Sequence, residues 1–175
     1  MSKPSLIIGT DHGGFEIKEV VVEHLKNLGY DVEDIGCYST ESVDYPDYAN
    51  DVAAAVVAGA KDLGILCCTT GIGMSVAANR FPGIQAAVVT DPDLAAKTRV
   101  HNNTNVLCLA GDFTTNDEVG AIVDAWLGAE FESGGRHERR VGKMNACGAA
   151  VSAPKLAMTD PEIYAVVEEE EARQR

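Results

Sequence analysis

Five short strand-like runs, four of them apolar, separated by segments with helical periodicity, constrain this chain more than any other feature. The runs are 5–9 (SLIIG), 31–35 (DVEDI), 63–68 (LGILCC), 85–89 (QAAVV) and 106–110 (VLCLA). Strands buried on both faces read as continuous apolar stretches rather than as alternation, because helices cover them above and below. Between the first two runs, Ile17, Val20, Val21, Leu25 and Leu28 recur at helical spacing over 15–28, and Gly29 follows as a C-terminal cap. A second helix is predicted over 45–60, with Pro46 in its first turn, where proline is tolerated. Further helices are predicted over 76–80, 92–100 and 118–127. Strand and helix in alternation predict an α/β chain: a Rossmann-like three-layer α/β/α sandwich around a five-stranded parallel sheet. Past residue 128 the periodicity fades, except for a helix expected over 161–173. The expected organisation is one domain over 1–148 and a partly helical C-terminal extension over 149–175.

In open parallel sheets, ligands bind beyond the carboxyl ends of the strands. That rule gathers Asp11 and His12 after the first run, residues 68–75 after the third, and 101–105 with 111–113 around the fifth. All of them are expected in one crevice. The segment CTTGIGMS at 68–75 is the strongest local signal. Glycines at 71 and 73 let the backbone curl so that successive N–H groups converge, and the helix that follows adds the positive end of its dipole. The same pattern also serves as a tight strand-to-helix turn with no ligand. It is neither a Walker loop nor GxGxxG. Cys68 stands at the strand end, facing the crevice, with Thr70 in reach of its sulfur. Cys37, Cys67, Cys108 and Cys147 read as inert core thiols. Of four histidines, His24 reads as solvated helix surface. His12, His101 and His137 lie in polar segments with possible partners.

Composition narrows the function. A net charge of -13 argues against nucleic acid, which is bound by clustered Lys and Arg. Five cysteines, an odd number without zinc or CxxC spacing, argue against a disulfide framework and for a reducing cytoplasm. No secretory signal and no apolar stretch of membrane-spanning length are expected. No cofactor and no metal ligand set are expected either, since no HxH, HxxxH or carboxylate–histidine pattern stands out.

Five separated motifs then converge: TDHGGFEIK at 10–18, VDYPDYA at 43–49, GILCCTTGIGMSVAANR at 64–80, RVHNNTNVL at 99–107 and VDAWLGAEFESGGRHERRV at 123–141. In this order, over roughly the first 145 residues, the chain resembles the ribose-5-phosphate isomerase B and galactose-6-phosphate isomerase family. The resemblance implies an aldose–ketose isomerase acting on a sugar phosphate by proton transfer through a cis-enediolate, without a metal. It implies Cys68 as the base, supported by Thr70, with the backbone of Gly71, Ile72, Gly73, Met74 and Ser75 as anion hole. Some members place a glutamate in this turn; here Met74 occupies that position. It implies Asp11 and His101 in ring opening, Tyr45 and Asn102 as hydroxyl and ring contacts, His12, Arg136 and Arg140 toward the phosphate, and His137 as a further substrate-binding residue. It further implies a homodimer or dimer of dimers with sites shared between chains. Relatives commonly carry an arginine shortly after the fifth strand, where this chain has Gly111-Asp112-Phe113.

Overall fold

A computed structural model describes residues 3–147. The chain divides into two compact units, Met1–Glu138 and Arg139–Arg175. The helix expected over 161–173 lies outside the described residues.

In the first unit, strands β1 (Leu6–Thr10), β2 (Val32–Asp34), β3 (Leu63–Cys68), β4 (Ala86–Val88) and β5 (Val106–Ala110) form one parallel sheet of order β2-β1-β3-β5-β4. Every residue of β1, β3 and β5 is buried, as their continuous apolar runs require. The helices are α1 (Phe15–Asn27), α2 (Tyr45–Val57), α3 (Ile72–Ala78), α4 (Pro92–Asn102), α5 (Asn116–Leu127) and α6 (Arg136–Cys147). Side chains alternate across a strand, so each strand feeds two cores. Leu6, Ile8, Ile65, Cys67, Leu107 and Leu109 meet the helices α1, α4 and α5. Ile7, Leu66, Cys68, Val106 and Cys108 meet α2 and α3. The reversal of strand order at β1 and β3 makes their carboxyl ends the switch point of the sheet.

Four expectations change. Helix α3 begins at Ile72 rather than at 76, so the glycine-rich turn is itself the helix start. Helix α6 was not expected, because RHERRVGKMNAC holds too few apolar residues to show a period. On α1, Leu28 is exposed, while Lys18 is fully buried beside Ile17, Val21, Val22 and Leu25. The Lys18 ammonium bonds Glu19 and, at 2.8 Å, Asp34 Oδ2. Burial alone would lower its pKa, but the bonds to Asp34 and Glu19 outweigh that and hold it above its ordinary value. His24 is not simply solvated either: its Nε2 lies 2.7 Å from Asp124 Oδ1, tying α1 to α5.

Candidate functional site

The carboxyl ends of β1, β3 and β5 are bonded to one another by the loops that leave them. Asp11 N–H donates to the Cys67 carbonyl at 3.3 Å, Gly111 N–H to Cys68 at 2.8 Å and Asp112 N–H to Thr69 at 3.1 Å. Asp11 is 6% exposed, and its Oδ1 accepts from the Gly13 and Gly14 amides at 2.9 and 3.1 Å. Its second oxygen takes no part in those two bonds. His12 Nδ1 accepts from Val43 N–H at 3.3 Å, which places the proton of the neutral ring on Nε2 and makes that atom a donor.

Cys68 ends β3 on the α2–α3 face, and Cys67 points to the opposite core, as alternation predicts. The Gly71 N–H donates to Cys68 Sγ at 3.1 Å. Such a bond strengthens when the acceptor carries charge. Gly71 makes it possible by adopting φ 72°, the left-handed region that side chains other than glycine's disfavour. Thr70, expected in reach of the sulfur, has its Oγ1 accept from the Ile72 amide at 3.3 Å. The opening amides of α3 have no intrahelical carbonyl to bond, so they face outward as donors. Three of the five expected anion-hole amides, those of Gly71, Ile72 and Ser75, already have partners, which leaves those of Gly73 and Met74. Ser75 N–H is taken by the Gly71 carbonyl at 3.1 Å. The Met74 side chain is fully buried in the core, so only its amide can face a ligand. Tyr45, at the start of α2, packs its ring against Gly73, 3.0 Å from where a β-carbon would stand.

A cleft of about 290 Å³ opens at this edge, lined by His12, Gly13, Glu16, Thr40, Gly111 and Asp112 among others. Its lining holds two carboxylates and neither Lys nor Arg. Phe113, next in the chain, is 68% exposed. Burial pushes the Cys67 thiol well above its ordinary value and the Cys108 thiol likewise upward, which leaves both protonated and inert.

His101 and Asn102 are not in this crevice. They end α4, which runs back against the strand direction, and Asn105 O accepts from Gly64 N at 2.9 Å at the start of β3. Gly64 pairs with Val106 and Cys68 with Ala110, so His101 lies at the amino edge of the sheet. Four residues of parallel strand separate the two edges by about 13 Å. The corner is tightly held. Asn103 takes φ 52° to end the helix, Trp126 Nε1 donates to Thr104 Oγ1 at 2.9 Å, and Arg99 donates to the Thr104 carbonyl at 2.5 Å. His137 is 5% exposed and stacks on His101, with centroids 4.2 Å apart and planes 6° from parallel. Arg136 Nε donates to His137 Nε2 at 3.2 Å, and Glu132 Oε2 lies 3.8 Å from the same nitrogen. Glu132 was not foreseen, since nothing in its local sequence marks it. Arg140 belongs to the second unit and is exposed.

The family model described as Ribose/Galactose Isomerase matches residues 6–144. A ribose-5-phosphate isomerase B of Escherichia coli is 48% identical over 141 residues, covering 81% of this chain and 94% of that protein. The solved structure of a Clostridium thermocellum ribose-5-phosphate isomerase B superposes with a TM-score of 0.82 at 47% identity, covering 85% of this chain and 99% of the other. A Mycoplasma genitalium ribose-5-phosphate isomerase B, solved with bound ribulose-5-phosphate, gives a TM-score of 0.80 at 44% identity, covering 84% and 97%.

Proposed function

The chain belongs to the Ribose/Galactose Isomerase family, and from that premise we propose that it interconverts an aldose phosphate and a ketose phosphate, ribose 5-phosphate and ribulose 5-phosphate or a close analogue. The observation that carries this reading is the bond from Gly71 N–H to Cys68 Sγ, which sets a thiol at the switch point beside Asp11 and the first amides of α3. Cys68, as thiolate, takes the proton from C2 of the open aldose. The C2–H electron pair becomes the C1=C2 bond, and the carbonyl pair moves onto O1. The enediolate oxygen so formed is met by the outward amides of Gly73 and Met74. Donors fixed before the charge develops favour the transition state over the ground state. The O2 hydroxyl proton passes to O1, the O2 electron pair closes the C2=O bond, and the C1=C2 pair takes the proton back from Cys68 at C1, which gives the ketose and restores the thiolate. No step calls on a metal.

Asp11 and His101 open the sugar ring, Thr70 supports the turn that presents the sulfur, and Tyr45 and Asn102 contact the ring and hydroxyls. His12, Arg136, His137 and Arg140 serve the phosphate end. Because His101 and Cys68 lie at opposite edges of one sheet, this division of labour requires a second copy of the chain, in a homodimer or dimer of dimers. Residues 1–148 suffice for the chemistry, with 149–175 as an extension. Cys37, Cys67, Cys68 and Cys108 are all unpaired, which suits a reducing cytoplasm. Among the described residues, no helix is long and apolar enough to cross a membrane.

A second reading keeps the chemistry and changes the sugar to a tetrose, tetrulose or hexose phosphate. The acidic lining of the cleft, Glu16 and Asp112, favours it: carboxylates repel a phosphate dianion from this spot, and a sugar of another length sets its phosphate elsewhere. A panel of aldose and ketose phosphates, assayed with purified protein and no added metal, tests both. Turnover of ribose 5-phosphate that disappears in Cys68→Ala supports the first reading. Faster turnover of another sugar phosphate supports the second, and turnover of none overturns both.

A further inference from the structure

We propose that His101, Glu132 and His137 form a binding site for a borderline-soft divalent cation of the zinc type, which competes with the sugar for His101 and takes no part in the metal-free chemistry at Cys68. Each of the three residues offers one ligand atom, and these atoms lie within 4.8 Å of one another. Two imidazoles and one carboxylate make a donor set that selects zinc or cobalt over magnesium or calcium, which prefer all-oxygen shells.

The backbone that carries Glu132 is fastened beside His101 before any ion arrives. Glu132 N–H donates to the Val100 carbonyl at 3.0 Å, which fastens the residue to the last turn of α4, where His101 sits. His137 is 5% exposed, and its Nε2 lone pair already accepts from the Arg136 guanidinium at 3.2 Å. That nitrogen is therefore presented to a positive group, and the exposed Arg136 side chain can give way to a cation. A tetrahedral zinc holds such donor atoms roughly 3.3 Å apart, so the set must close by on the order of 1 Å. The stacked rings must also turn, since in-plane lone pairs on parallel imidazoles do not meet. The torsion involved, χ2 of histidine, is a soft one.

The consequence rests on the proposed role of His101. A cation bound through its ring nitrogen takes that nitrogen away from the sugar ring, so the same ion inhibits isomerisation. Glu132 has no part in the proposed reaction, so removing its carboxylate separates the two properties.

The test is titration of the full-length, chelator-stripped protein with Zn2+ by calorimetry and with Co2+ by visible absorption, in parent and Glu132→Gln, with turnover followed alongside. The parent should bind one ion per chain and give a tetrahedral Co2+ spectrum without a thiolate charge-transfer band, and turnover should fall as the site fills. Glu132→Gln should turn over like the parent without metal and bind on the order of tenfold more weakly or worse. Equal affinity in Glu132→Gln, or a thiolate band showing that cysteine holds the ion, overturns the site. Binding without inhibition leaves the site standing and overturns the role given to His101.

Discussion

The Gly71 amide donates to the Cys68 sulfur at 3.1 Å, while the neighbouring Cys67 is sealed in the opposite core. Two adjacent cysteines therefore have opposite expected phenotypes. Cys68→Ala should abolish isomerisation and leave circular dichroism and ligand binding nearly intact. Cys67→Ala should keep its activity and lose about 1–2 kcal/mol of stability from the cavity it leaves. Initial-rate assays and denaturant titrations on both variants check this. Reversed phenotypes would mean that the base lies on the other face of β3.

Chelation should not inhibit. The reaction proposed at Cys68 uses a thiol, amides and imidazoles, and a trace cation at His101 would only slow it. Dialysis against EDTA should leave turnover unchanged or raised. Loss of activity that a divalent ion restores would sink the metal-free mechanism.

Cys68→Ala and His101→Ala, each inactive alone, should recover activity once their subunits exchange. If both residues serve one site from different chains, a mixed dimer contains one intact site. Mass spectrometry verifies the mixing, and a verified heterodimer without activity would count against sharing.

Phe113 follows Asp112, which lines the acidic cleft, and it is 68% exposed. Phe113→Arg adds a cation at the rim, and a charge-assisted bond to phosphate contributes about 1.5–3 kcal/mol. The expected result is a gain of about tenfold or more in kcat/KM for ribose 5-phosphate, read against the other sugar phosphates of the panel. An efficient parent enzyme that Phe113→Arg makes worse would show that the aromatic residue is neutral toward phosphate.

Lys18 gives the pH prediction. Its bonds to Asp34 and Glu19 raise its folded-state pKa above 10.5, the ordinary value taken for the unfolded chain. The unfolded state therefore loses this proton first, so the stability Lys18 contributes is fully present below that value and is lost as pH climbs through the folded one. Denaturant midpoints should drop above about pH 10.5, and Lys18→Met should flatten the drop. Parallel pH curves for the two proteins would show that Lys18 does not contribute.

The sheet was legible because buried parallel strands leave continuous apolar runs, and SLIIG, LGILCC and VLCLA do so without ambiguity. The crevice was half legible. The carboxyl-end rule placed Asp11, His12 and Cys68 correctly, since each follows its strand directly. It misplaced His101 and Asn102, which precede β5 and so belong to the amino edge. Sequence adjacency to a strand does not say which end is meant unless the chain direction is followed through the helix. Lys18 was invisible for another reason: a charged residue reads as surface unless its partner, Asp34 on β2, is known. Glu132 and α6 left no signal, because neither rests on an apolar period.

The proposed division of labour between Cys68 and a neighbour's His101 would also tie catalysis to abundance. An enzyme whose whole site lies within one chain keeps its specific activity at any dilution. With the site shared between chains as proposed above, each half of the chemistry waits for a neighbour, so turnover per chain should decline once the protein is diluted below the concentration at which copies stay associated. In a cell, small changes in expression near that threshold would change flux more than in proportion.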